Sequence, residues 1–195
     1  MNLPVNILTR LRVFTPDRAL AYAEACSIAE RQALRLLLLA GHEDSRVPEQ
    51  LIADLPRVRV RSVVDLPTSG LSFYDRGLWQ IALNGSDAYV RQRFTLAHEF
   101  KHVLDHPFAA TLYGALDADQ IERICDYFAG CLLIPRPALK RAYVSGTQHI
   151  SALAQQFDVS AQAMRVRLSQ TGITPEARRC RSARTYYRSA TTVAA

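Results

Sequence analysis

The sequence predicts an α+β fold: a small antiparallel sheet packed on a helix bearing His-Glu-x-x-His, a second helix bearing a further metal ligand, and then a helix-turn-helix-like helical unit. Three observations predict it. The run from Arg93 to His106 holds His98-Glu99-Phe100-Lys101-His102 inside an apolar helical pattern. The segment Asp119 to Pro135 reads as a second helix, with Ile121, Ile124, Cys125, Phe128, Leu132 and Leu133 on one broad apolar face. Upstream of both, Val58 to Val64 begins with period-two alternation, and Leu71 to Tyr74 and Leu78 to Leu83 flank the turn residues Asp75, Arg76 and Gly77.

Taken in order, Pro16 to Leu39 reads as a helix, with Asp17 in its first turn and Gly41 just past its end. Pro48 to Leu55 is a short second helix, and the three strands follow. In the His-Glu-x-x-His helix, Phe94, Ala97, Val103 and Leu104 face the core, and Asp105 to Pro107 supplies its end. Beyond Pro135, Ile150 to Leu168 has helix-turn-helix character: a small residue at Ala154, a turn near Asp158 and an N-cap at Ser160. Its apolar residues Leu153, Phe157, Val159, Met164 and Leu168 suit a helical hairpin packed on the core better than a DNA reader, although Arg165 and Arg167 fall on its second helix.

The chemistry begins with spacing. At about 1.5 Å and 100° per residue, His98 and His102 lie one turn apart on nearly one line, so two imidazoles can reach one ion. Glu99 flanks that line, where a carboxylate can take a proton from water activated by the metal, as this motif requires of a zinc hydrolase. A catalytic zinc site needs a third protein ligand. Glu122 is the candidate, because Glu122 and Asp126 stand one turn apart on the second helix: the first carboxylate can bind metal while the second accepts the outer N–H of a ligand histidine. An ordinary pair of solvated helix acids is the competing reading. His106 lies a further turn along, about 12 Å from His98 on a straight helix, so one ion cannot bridge them. The all-histidine variant would want glycine at 105 and histidine at 108, where the chain has Asp105 and Phe108. His42 and His149 sit in polar, turn-like stretches, and Cys125 reads as a small buried hydrophobe.

The residues Arg91 to His106 and Glu122 to Pro135 together resemble the ImmA/IrrE family of metallopeptidases, which is similar to the gluzincin proteases around the metal. The weaker similarity runs from about Pro48 to Gly172. The resemblance implies a compact zincin-like fold, zinc (Zn2+) on His98, His102 and Glu122, Glu99 as catalytic base, and Asp126 steadying a ligand histidine. It also implies an intracellular endopeptidase that cleaves a helix-turn-helix repressor protein and so switches stress or mobile-element genes. Many relatives carry glycine before the second histidine; here it is Lys101, expected to point to solvent or to edge the cleft. Tyr74, Tyr113, Tyr127 and Tyr143 are the candidates for an oxyanion donor. Leu78 to Asn84 is expected to be an exposed sheet edge that holds an extended peptide by strand addition. Two other readings stand beside the protease: a DNA-binding transcriptional regulator with a metalloprotease-like sensor or scaffold domain, and a zinc site kept for folding alone.

Composition bounds the rest. With 195 residues, 49% of them hydrophobic, the chain suits one main domain and small appendages. These are expected as an N-terminal extension at 1–16, the metallopeptidase domain at 17–146, the helix-turn-helix-like unit at 147–173 and a basic, disordered tail at 174–195. Cysteines at 26, 125, 131 and 180 form no metal-type pair and no disulfide framework. The apolar run Leu36 to Ala40 is far too short to span a bilayer, and the N-terminus lacks the pattern of a signal peptide, so a cytoplasmic protein without membrane contact is expected. The tail has five arginines against Glu176, which accounts for most of the chain's net charge of +6. Weak nucleic-acid contact through that tail is the accompanying expectation.

Overall fold

The computed structural model describes residues 7–173. Helix α1 (Ile7–Arg12) lies within the expected N-terminal extension, buries Ile7 and Leu11, and is followed by α2 (Tyr22–Leu39). The long helix therefore begins at Tyr22 rather than near Pro16. The short α3 (Gln50–Ala53) leads into three strands, β1 (Val58–Val63), β2 (Gly70–Asp75) and β3 (Leu78–Asn84). Then come α4 (Tyr89–Asp105), a 3-10 turn at His106–Phe108, α5 (Ala109–Leu112), α6 (Ala118–Leu133), α7 (Arg136–Val144), α8 (Ile150–Phe157) and α9 (Ala161–Thr171). The fold is α+β, as the sequence predicts.

The sheet departs from expectation in one respect: it is mixed. Its order is β1-β3-β2, with β1 parallel to β3 and β2 antiparallel to it. A tight turn closes the β2–β3 hairpin, and Arg76 and Gly77 both take positive φ (48° and 84°), the arrangement whose twist matches paired strands. The chain from Val64 to Ser69 then has to pass the end of β3, because β1 and β2 take opposite sides of it. Strand β3 is thus central, with both edges paired, and the expectation that Leu78 to Asn84 offers a free edge is overturned. The outer edges of the sheet among the described residues are those of β1 and β2.

Burial of Trp79, Ile81 and Leu83 seats β3 on the core, beside Leu96, Ala97, Phe100, Val103 and Leu104 of α4. Helix α6 supplies the other wall through Ile124, Phe128, Ala129 and Leu132, and α2 packs against it with Ala25, Ala29, Ala33 and Leu36. A capping box starts α6: Asp117 accepts from the Gln120 N–H at 2.7 Å, and Gln120 accepts from the Asp117 N–H at 3.1 Å. The α8–α9 hairpin turns at Asp158, in left-handed conformation (φ 55°), and Ser160 Oγ caps α9 by accepting from Ala163 N–H. Leu153, Phe157, Val159, Met164 and Leu168 are all buried against the body. No helix among the described residues is long and apolar enough to cross a membrane. The expectations for 174–195 lie outside the described residues.

Candidate metal centre

Helix α4 passes between β2 and α6, and its half-buried seam carries the histidines. His98 Nε2 lies 3.2 Å from His102 Nε2 and 3.2 Å from Glu122 Oε2, while His102 Nε2 lies 3.5 Å from Glu122 Oε1. Two imidazole nitrogens and a carboxylate facing one another at this range repel through their lone pairs unless a cation or proton sits among them. A tetrahedral zinc with bonds of about 2.0–2.1 Å spaces its donors about 3.3 Å apart. The donor set and its spacing therefore fit a divalent ion of the zinc type. On the other ring nitrogen, His98 Nδ1 donates to Asp126 Oδ1 at 2.8 Å, which leaves the Nε2 lone pair directed at the cluster.

The electrostatics differ between the two rings. Burial alone lowers the His98 pKa, yet the Asp126 hydrogen bond and the charges of Asp126, Glu99 and Glu122 outweigh it, and the net shift is upward. His102 is lowered, first by burial and then by its neighbour His98. His98, His102 and Cys125 also offer ligand atoms within 4.8 Å of one another. The thiol, however, meets His102 at Nδ1 (3.7 Å), the nitrogen opposite to the one that faces Glu122. Burial pushes the Cys125 thiol well above its usual range, and the thiol sits behind the His102 ring. The atoms that face one another within 3.5 Å are His98 Nε2, His102 Nε2 and the Glu122 carboxylate oxygens.

Glu99 stands off this line and is 8% exposed. Two cavities meet at its side chain. One, of about 560 Å³, is lined by His102, Leu71, Ser72, Trp79, His106 and Ile121 among others; the second, of about 330 Å³, by His98, Glu122, Gly70, Ser69, Thr95 and Arg91 among others. Together they form a cleft along β2. The strand lies so close to α4 that a Cβ on Gly70 would stand 2.4 Å from Thr95 Cγ2 and 3.3 Å from Glu99 Cγ. Only glycine lets the backbone approach the motif this closely.

The sequence pattern of the IrrE N-terminal-like domain, a peptidase family designated M78, matches residues 56–169. The chain belongs to this family. No curated protein matches it. A solved Mycobacterium tuberculosis transcriptional regulator is similar to this IrrE-like chain in fold, with 18% identity and a TM-score of 0.59 over 84% of the present chain and 51% of the regulator. The chain thus spans about half the length of that regulator.

Other residues of this IrrE-like chain stand where sequence reasoning did not place them. Lys101 neither reaches solvent nor edges the cleft: it is 1% exposed. Its ammonium donates to Gln32 Oε1 of α2 at 2.8 Å and pairs with Asp105 at 2.6 Å, and Asp105 in turn accepts from the Tyr113 hydroxyl. The i,i+4 spacing of Lys101 and Asp105 was a signal that could have found the pair. Tyr127 donates to Glu30, so Tyr113 and Tyr127 are engaged away from the histidines; Tyr143 is buried in the core, while Tyr74 is exposed on β2 against Trp79. His106 packs edge-on to Trp79 at 5.0 Å, in the larger cavity. His42 is half-buried, and His149 is exposed at the start of α8.

Proposed function

We propose that this chain is an intracellular zinc-dependent metalloendopeptidase that cleaves a helix-turn-helix repressor protein and so derepresses stress or mobile-element genes. The observation that carries the hydrolase reading is the convergence of His98, His102 and Glu122 at 3.2–3.5 Å with Glu99 between two cavities. Zinc held by those three ligands would supply Lewis-acid activation of a water molecule and of the scissile carbonyl. Glu99 takes the proton of the attacking water and passes it to the leaving amine. Asp126 holds the His98 ring in one tautomer and orientation. The free edge of β2, with Leu71 and Ser72 in the cavity beside Glu99, suits an extended peptide that adds to the sheet across the site. Membership of a peptidase family supports the activity, and the family resemblance supports a repressor as substrate. A cytoplasmic location, where cysteines stay unpaired, belongs to the same proposal.

The test is incubation of zinc-loaded wild type and Glu99→Gln with candidate repressors, followed by mass spectrometry. Wild type is expected to make one defined cut, and Glu99→Gln to lose about 10²-fold or more in rate with zinc content and fold unchanged. Equal cleavage by the two proteins sinks Glu99 as base; no cleavage of any repressor by wild type sinks the reading.

A DNA-binding regulator with a metalloprotease-like sensor domain is the second reading, favoured by the capped α8–α9 turn and by the regulator named above. One observation weakens it. Arg167 is not available to DNA: it is 2% exposed, donates to Ile134 O and pairs with Glu30. Salt-dependent binding of a duplex by the full chain would strengthen this reading.

A further inference from the structure

The cleft does not end at His98. A groove of about 490 Å³ runs on from it between α4, α6 and α9, and Arg91, Phe94 and Asp126 line both spaces. Its lining is apolar at Val90, Phe94, Tyr127, Ala163 and Val166, and Val166 is 44% exposed. Cations surround this apolar strip. Arg91 donates through Nε and Nη2 to Ser69 Oγ, which holds its guanidinium at the boundary between groove and cleft. Arg123 lines the groove from α6. Among the described residues neither Arg91 nor Arg123 is in an ion pair, and the carboxylate that faces the groove, Asp126, is bonded to His98.

We propose that this groove docks an acidic segment of the substrate protein, with an apolar side chain against Phe94 and Val166 and carboxylates on Arg91 and Arg123. The inference rests on the peptidase reading and adds to it a substrate chemistry. Charge selects the occupant. Residues 174–195, with five arginines and one acid, carry the same sign as the rim, so charge complementarity favours an acidic occupant instead. A volume of this size buries a few side chains, and its continuity with the cleft sets the docked segment a few residues from the bond to be cut. The groove thus acts through local concentration, converting the second contact into an intramolecular one.

Two labelled peptides test this, identical but for glutamates in one and lysines in the other around a phenylalanine-leucine pair. Binding is read by fluorescence anisotropy on zinc-loaded Glu99→Gln, which keeps the peptides intact. The acidic peptide is expected to bind about tenfold more tightly at low salt, Arg91→Glu with Arg123→Glu to remove or reverse that preference, and Val166→Glu to weaken binding. Arg181→Glu with Arg184→Glu, in the tail, is expected to leave the preference in place. Equal binding of both peptides, or a preference lost with the tail substitutions and kept with the groove ones, overturns the proposal. So does tighter binding of a short DNA duplex that the same groove substitutions abolish. Cleavage by wild type is measured separately: selective docking without any cleavage supports the groove while sinking the peptidase, and cleavage without selective docking overturns the groove alone.

Discussion

Glu122 and Cys125 both reach the His102 ring, from opposite edges: the carboxylate at Nε2 (3.5 Å) and the thiol at Nδ1 (3.7 Å). The difference is testable by metal content. Glu122→Ala is expected to reduce bound zinc to background after dialysis, Asp126→Asn to weaken zinc binding by about 10–100-fold, and Cys125→Ser to retain it in full. A zinc-free Cys125→Ser protein with an intact fold would assign the third ligand to the thiol instead. Lys101 supports a second prediction. Its ammonium is buried between Gln32 and Asp105, so Lys101→Met leaves an uncompensated carboxylate and is expected to cost about 3–5 kcal/mol in urea unfolding, with Asp105→Asn partly restoring it. An unchanged midpoint would show the pair to be dispensable. The contrast between these residues explains what the sequence could reveal. The meeting of His98 and His102 is set by helix periodicity alone and is legible in five residues. The burial of Lys101 depends on Gln32 of α2 and on Tyr113 just after α5, and no local pattern announces them.

At the scale of elements, the helices were more legible than the sheet. Helix α6 announces itself through its apolar face, a local property. Strand pairing is not local: alternation shows that β1 is a strand but not which neighbour it takes. A signal for the central place of β3 was nevertheless present in its run Ile81-Ala82-Leu83, buried on both faces as strands with two neighbours and two covered sides tend to be. In this order β2 lines the cleft beside the motif, and Gly70 packs against Thr95 and Glu99. Gly70→Ala is therefore expected to lever β2 away from Thr95 and Glu99, to cost about 1–3 kcal/mol in stability and to slow cleavage, while zinc binding through α4 and α6 survives. Stability and kcat/KM of the variant equal to wild type would mean that strand and helix are free to separate.

Across the whole molecule, the helix-turn-helix-like unit is wired to the motif helix rather than appended to it. Arg93, one turn before Ala97 on α4 and 2% exposed, donates through Nε to Asp158 O at the α8–α9 turn and through Nη2 to Val47 O at 2.8 Å, and its charge faces Glu49 and Asp158. Arg167 makes the reciprocal connection from α9 to Ile134 O at the end of α6 and to Glu30 on α2. Two buried guanidiniums thus bind the unit to both helices that carry the candidate ligands. Each satisfies carbonyls that have no other described partner in view, so losing one strands buried acceptors as well as removing a bond. Residues 7–173 are accordingly expected to unfold in one transition, with tryptophan fluorescence of Trp79 and far-UV dichroism coincident. Arg93→Ala should lower stability by about 2–4 kcal/mol and shift both signals together. Two separated transitions, with dichroism lost before Trp79 changes its environment, would show that the unit folds apart from the body. In that case the second helix would be free to leave α4, and the groove between α4, α6 and α9 would open and close with it.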